Sequence, residues 1–311
     1  MSQLLSIQDL MRGAVSLSRT WHPRLARSFE RYATARTHMW RVRKVGAQTE
    51  PHWLLLPQWL MHQHGRNDRA YSRFLADILR GQFCAFLGIK LQDELFDQQV
   101  SDRSLIYVAD HLLLSAREAF NPHFSAKSAL WPFFNSSIRD TINSIIQWDQ
   151  AQLHGFGPVS SVKAMTSAGY AVCNLATFAV CLRLKKFRLF QALLSCTDEI
   201  AFVGQLLDDL EDIEPDFARG RLNYAARFLL NRPVKSSADL NHRLASAVIV
   251  DGRLGEFLRM LGRHLDRAAS IAARVKLPEL LEYITRHREV LESLDRQQHQ
   301  MRAGLLFGKH T

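Results

Sequence analysis

Twice in this chain a pair of aspartates four residues apart lies in a long apolar run. The first pair, Asp93 and Asp97, sits in Gln92-Asp93-Glu94-Leu95-Phe96-Asp97 and follows the largely apolar stretch Ala76 to Leu91. The second, Asp208 and Asp212, sits in Gly204-Gln205-Leu206-Leu207-Asp208-Asp209-Leu210-Glu211-Asp212, within an apolar run that begins near Lys186. A spacing of four places both carboxylates on one face of a helix, a turn apart. Stacked carboxylates repel unless a cation lies between them, and oxygen-only ligands favour a hard ion, Mg²⁺ first. The pattern therefore asks for helices whose two acidic faces meet across an apolar cavity. A ligand with a polyphosphate head and a greasy tail suits such a cavity.

The remaining sequence agrees with an all-α fold. No run shows a convincing period of two, and there is no phosphate-binding glycine loop, nucleophile elbow or Cys/His zinc spacing. Helices are expected over Glu50 to Gly65, then from a cap at Asn67 to Asp97, Ser104 to Phe120, Ser125 to Leu153 and Val159 to Leu182. The second box has its own helix, which Pro215 should end or kink. A loop beginning at Asn231-Arg232-Pro233 precedes three more helices, Ala238 to Val250, Leu254 to Val275 and Pro278 to Arg302. Their Arg- and His-rich faces, with Arg259, Arg263, His264 and Arg267 among them, read as solvated.

A chain of 311 residues that is 47% apolar can bury a sizeable core. Its formal net charge of +10 attracts anions, whether diphosphates, nucleic acid or acidic lipid. A basic nucleic-acid-binding protein would leave two acidic boxes in apolar helices unexplained, so no nucleic-acid partner is expected. The four cysteines, Cys84, Cys173, Cys181 and Cys196, lie in apolar runs without a CxxC and read as buried thiols in a reducing compartment. No run reaches the ~18 apolar residues of a membrane span. Cytoplasmic localisation without stable membrane insertion is expected. Residues 1–44 carry nine Arg/Lys against Asp9 and Glu30, which reads either as a targeting segment or as amphipathic helix turns packed on the body. The expected organisation is a basic N-terminal helical segment, 1–45, followed by a single α-helical domain, 46–311.

Taken together, the two boxes resemble the aspartate-rich motifs of the class I isoprenoid synthases, which include trans-prenyl diphosphate synthases, squalene/phytoene synthases and class I terpene cyclases. Asp93-Glu94-x-x-Asp97 is similar to the family's DDxxD, with Glu second. Gln205-x-x-Asp208-Asp209-x-x-Asp212 is similar to its FQxxDDxxD, with Gly204 in place of Phe. Asp208, Asp212 and Asp216 also resemble the cyclases' NDxxSxxxE motif. The likeness spans roughly Glu50 to Tyr224. It implies a helical bundle around a deep apolar cavity. In that cavity Asp93, Asp97, Asp208, Asp212 and Asp216 bind Mg²⁺, three ions with substrate present, and a prenyl diphosphate ionises.

The resemblance also implies that Gln205, Arg103, Lys163, Arg219 and Arg221 hold the diphosphate. For Arg103, Arg219 and Arg221, plain surface charge is the other reading. Phe86, Gly88, Ile89 and Asn174 would line the pocket, with room for a C15 to C20 tail. Gly88 could instead permit close helix packing. Where chain-elongating relatives have the Lys and Arg of GKxxRP, which bind isopentenyl diphosphate, this chain has His52 and Leu55. That departure favours a terpene synthase over a chain-elongating or head-to-head prenyltransferase. A non-catalytic scaffold or regulatory subunit on the same helices is the third reading. A homodimer is the family's habit.

Overall fold

The protein is all-α: among its described residues there are fourteen α-helices and no strand. The computed structural model describes residues 5–36, 50–64, 69–230, 234 and 236–307, with side chains to 301. The expected stop at Gly65, the cap at Asn67 and the loop at 231–233 lie outside them. The chain divides into two compact units. Unit 1 holds the described residues within Met1–Lys44, Gln48–Ile145 and Ala168–Leu194; unit 2 holds those within Ile146–Ser167 and Ser195–Thr311.

Unit 1 contains α1 (Ile7–Ser18), α2 (Pro23–Arg36), α3 (His52–His64), α4 (Arg69–Phe96), α5 (Leu105–Phe120), α8 (Leu175–Arg183) and the larger part of α6 (Leu130–His154). A capping box starts α1. Ser6 Oγ accepts the Asp9 N–H at 3.2 Å, and Asp9 Oδ2 accepts the Ser6 N–H at 3.0 Å. The long α4 lies closely along α5. A Cβ on Gly81 would stand 2.7 Å from the Phe120 ring, and one on Gly88 would stand 3.0 Å from the Ala109 carbonyl oxygen. Only glycine lets the two backbones approach this far.

Pro57 lies inside α3 and cannot donate to the Trp53 carbonyl four residues back. A side chain from α4 answers it. Gln82, fully buried, donates to Trp53 O at 2.9 Å and accepts the Ala176 N–H, in the first turn of α8, at 2.7 Å. One buried amide thus satisfies a proline-orphaned acceptor and a helix-start donor.

The apolar run 159–182 is not the single helix its composition suggests. It breaks after α7 (Val159–Gly169) into a 3-10 turn, Ala171–Asn174, before α8. The break is stable because its polar groups find partners. Thr141 Oγ accepts the Val172 N–H at 3.2 Å and donates to Ala168 O, also at 3.2 Å, while Asn174 Nδ2 donates to Tyr170 O at 3.3 Å. Among the described residues no single helix is long and apolar enough to cross a membrane. All four cysteines are buried and unbridged, and burial pushes the Cys84 and Cys196 thiols up to about 12.

Unit 2 contains most of α7 and α9 (Phe187–Glu211), the end of α6, and α10 (Ile213–Ala218), α11 (Tyr224–Leu230), α12 (Ser237–Ile249), α13 (Arg253–Arg274) and α14 (Pro278–Phe307). Pro215 does not end a helix. It falls in the first turn of α10, where its missing N–H is not needed, and the break comes earlier, at Asp212. Gly220, at φ 76°, closes α10 in a left-handed turn: Gly220 N–H bonds Phe217 O and Arg221 N–H bonds Asp216 O, both at 2.9 Å.

Candidate functional site

The second acid box occupies the last turn of α9. Phe202, Val203 and Leu206 are buried and hold this helix in the interior of unit 2. Backbone i→i+4 bonds run on past the helix end: Asp212 N–H bonds Asp208 O and Asp216 N–H bonds Asp212 O, each at 2.9 Å. Asp208, Asp212 and Asp216 are therefore successive steps of one ladder. Asp212 is exposed, while Asp208 and Asp216 are half-buried.

Asp209 turns inward and is 5% exposed. Gln205 Nε2 donates to its Oδ1 and the Tyr224 N–H to its Oδ2, both at 3.0 Å. The turn at Gly220 brings back Asn223, whose Nδ2 lies 2.7 Å from Asp209 O and 2.9 Å from Asp216 Oδ2. Burial pushes the Asp209 carboxyl up to about 7; nearby Asp216 and Asp208 add to this, and the Gln205 and Tyr224 bonds oppose it. Asp216 is also raised, by burial first and with Asp212 contributing. Gln205, expected on a diphosphate, is engaged with Asp209. Of the two arginines expected here, Arg219 is half-exposed and reaches Asp216 at 3.3 Å, and Arg221 pairs with Asp149 at 3.0 Å. Tyr224 continues into an aromatic run: its ring meets Phe156 edge-on at 5.6 Å, and Phe156 meets Trp148 at 5.2 Å. Trp148, Phe156, Asn223 and Tyr224 carry no motif that would have singled them out in the sequence.

The first acid box, at the end of α4 in unit 1, is built differently. Lys90 Nζ donates to Asp93 Oδ2 at 2.9 Å. Glu94, buried, takes Arg36 of α2 through Nη2 at 2.8 Å and Nε at 3.2 Å. Burial works to lower the Lys90 ammonium, but Asp93, Glu94 and Asp97 outweigh it and the net shift is upward. Asp97 accepts from Gln99 at 3.3 Å. The tail-lining candidates nearby are helix contacts. Gly88 faces Ala109 and Leu113 of α5, Phe86 lies against Trp53 at 5.1 Å, and Ile89 and Asn174 are buried. His52 is buried, and Arg103 is exposed.

Lys163, the remaining diphosphate candidate, belongs to a buried network in unit 2. Its Nζ lies 2.5 Å from Glu199 Oε1. Glu199 also takes His264 Nδ1 at 2.5 Å on Oε2 and Arg267 Nε at 3.2 Å on Oε1. Burial would raise the Glu199 carboxyl, but the His264 and Lys163 hydrogen bonds bring it down to about 2. This corrects the reading of His264 as solvated. It is 5% exposed, and its ring lies 4.4 Å from that of Phe202. Helical spacing placed it beside arginines of a polar face, but the buried Glu199 on α9 draws it inward.

Within either unit, no three His, Cys, Asp or Glu side chains of the described residues converge at metal-binding distance. The donor chemistry nevertheless separates the boxes. Asp208, Asp212 and Asp216 offer only oxygen donors, the kind a hard divalent ion takes, but their carboxyls do not converge on one point. In the first box Lys90 and Arg36 already neutralise Asp93 and Glu94, and that arrangement does not fit such an ion. No family model matches this chain, and no curated protein is found similar to it.

Proposed function

We propose that the chain is a Mg²⁺-dependent class I isoprenoid synthase, acting as a terpene synthase on an allylic prenyl diphosphate of C15 to C20. The observation that carries this reading is the ladder Asp208, Asp212, Asp216, continued through the end of α9 and flanked by the run Tyr224, Phe156, Trp148. Asp208 and Asp212 would hold Mg²⁺, with Asp216 positioned by Asn223. When bound, the ion supplies neutralisation of the leaving diphosphate. Arg219, half-exposed beside Asp216, would grip that diphosphate by charge-assisted hydrogen bonds. As the allylic C–O bond breaks, both electrons leave with the diphosphate oxygen. The hydrocarbon cation is then shielded by aromatic and aliphatic side chains until it loses a proton. The net charge of +10 favours capture of the anionic substrate. His52 is buried and Leu55 is apolar, which leaves the second diphosphate site of an elongating enzyme without its cations.

The test is incubation with Mg²⁺ and C10, C15 and C20 prenyl diphosphates, each with and without isopentenyl diphosphate, followed by gas chromatography–mass spectrometry. A hydrocarbon or terpene alcohol formed without isopentenyl diphosphate, and lost in Asp208→Asn with the fold retained, is the expected outcome. A longer diphosphate formed only with isopentenyl diphosphate would replace the reading with a prenyltransferase. The internal pairing of Asp93 and Glu94 favours a second reading, a non-catalytic scaffold on the same helices. Absence of turnover with all three substrates would decide for it.

A further inference from the structure

Helix α2 buries Phe29, Tyr32 and Ala33. Its other side carries Arg24, Arg27 and Arg31, spaced i, i+3 and i+7 and all exposed. The three line an open groove of about 1020 Å³ together with Ser28 and Asp102. Like charges on neighbouring turns destabilise a helix unless an anion answers them. One of the three is answered. Arg31 Nη2 donates to Asp102 Oδ2 at 3.3 Å, and Asp102 Oδ1 also accepts from Ser104 Oγ at 2.6 Å and the Ser104 N–H at 3.1 Å. Glu30, the other acid of the groove, lies 4.0 Å from Arg19. Arg24 and Arg27 have no acidic partner among the described residues. Of the groove's two carboxylates, Asp102 is held between a guanidinium and a hydroxyl and Glu30 lies near Arg19, and Arg24 and Arg27 present two further guanidinium groups to solvent.

We propose that this groove is an anion site that binds a phosphate-bearing ligand through Arg24 and Arg27, beside the Arg31–Asp102 pair. Guanidinium groups suit phosphate oxygens because their fork of N–H donors matches them in pairs. All these residues belong to unit 1, on α2 and in the turn before α5, and none is part of either acid box. The proposal does not depend on the enzymatic reading.

Isothermal titration calorimetry of the full chain with inorganic diphosphate tests it. EDTA and fixed ionic strength remove any divalent-ion contribution. Arg24→Gln/Arg27→Gln is compared with the parent, and Arg139→Gln, an exposed arginine on α6, serves as control. Co-sedimentation with phosphatidylcholine vesicles, with and without phosphatidic acid, runs in parallel. The expected result is binding by the parent, weakened about tenfold or more in the double variant and unchanged in the control, with equal circular dichroism throughout. Diphosphate binding without co-sedimentation identifies a soluble phosphate ligand. Phosphatidic acid-dependent co-sedimentation that the double variant loses identifies a lipid headgroup. If the parent binds neither probe, or the double variant binds as the parent does, the site does not exist.

Discussion

The acid pair on α4 and the acid pair on α9 share a spacing, a helical setting and an apolar approach, yet they are satisfied in different ways. On α4 the protein supplies its own cations. Lys90 answers Asp93 from one turn back, and Arg36 answers Glu94 from a helix 58 residues earlier in the chain. On α9 the inward carboxylate, Asp209, is held by neutral donors, an amide side chain and a backbone N–H. Its neighbours Asp208, Asp212 and Asp216 are acids. One box is a closed ion-pair junction that ties α2 to α4; the other is an acidic run whose inward carboxylate is held by neutral donors and whose Asp216 meets the half-exposed Arg219. The difference bears directly on function, because a divalent ion has to displace a lysine and a largely buried arginine in the first box, whereas the cation at Asp216 in the second is the half-exposed Arg219.

The sharpest way to break this contrast is to remove the cation that closes the first box. Arg36→Met leaves the carboxylate of Glu94 buried with Lys90, at 4.0 Å, as its remaining cation among the described residues. Loss of one partner of a buried pair costs about 3 kcal/mol or more, because the remaining charge stays desolvated. Adding Glu94→Gln to Arg36→Met removes that charge and should recover most of the loss. Urea denaturation of the parent, the single and the double variant measures both steps. A single variant within about 0.5 kcal/mol of the parent would mean that Arg36 is not holding the box closed.

The second box makes the opposite claim in its pH dependence. The Asp209 carboxyl rises from 3.8 to about 7 on folding. The folded state therefore binds more protons than the unfolded chain between those values, and stability falls as pH rises through that window. The contribution is fully present below about pH 4 and lost above about pH 7. Asp216 shifts in the same direction. Glu199 acts oppositely and lower, since its stabilisation is lost as pH falls from 4.5 through about 2. Asp209→Asn should flatten the pH 4–7 slope in EDTA, changing the stability difference from the parent by an amount on the order of 4 kcal/mol across the window. Parallel stability curves for variant and parent would show that Asp209 is not under-compensated.

Local pattern made much of this legible, and the reason lies in what a helix displays. The 3.6 period reaches the sequence directly, so α4, α5, α9 and α13 lie close to where their apolar spacing puts them. The i, i+4 geometry of the ladder was legible for the same reason. The identity of each acid's partner was not. Arg36 reaches Glu94, Asn223 reaches Asp209, and His264 reaches Glu199 across 58, 14 and 65 residues. Spacing on one helix carries no information about them. The break at Gly169 was hidden similarly, because Thr141 on another helix satisfies the groups it frees. Gly88 illustrates a residue with two readings in sequence, pocket wall or helix contact; the Ala109 carbonyl 3.0 Å from its absent Cβ places it against α5.

The smallest expected effect completes the contrast. Arg219 is half-exposed and pairs with Asp216 at 3.3 Å, three residues away on the same short helix. A solvated pair of this kind contributes about 0.5 kcal/mol or less, because water screens the attraction and ordering two side chains offsets much of it. Arg219→Gln should therefore leave the urea midpoint almost where it is, unlike Arg36→Met, although both remove an arginine from an acid box. Its effect belongs to ligand binding. If Arg219 grips a released diphosphate, the variant should raise KM or weaken product inhibition while the fold is unchanged. A stability loss as large as that of Arg36→Met would place Arg219 in a closed junction as well, and the electrostatic distinction between the two boxes would fail.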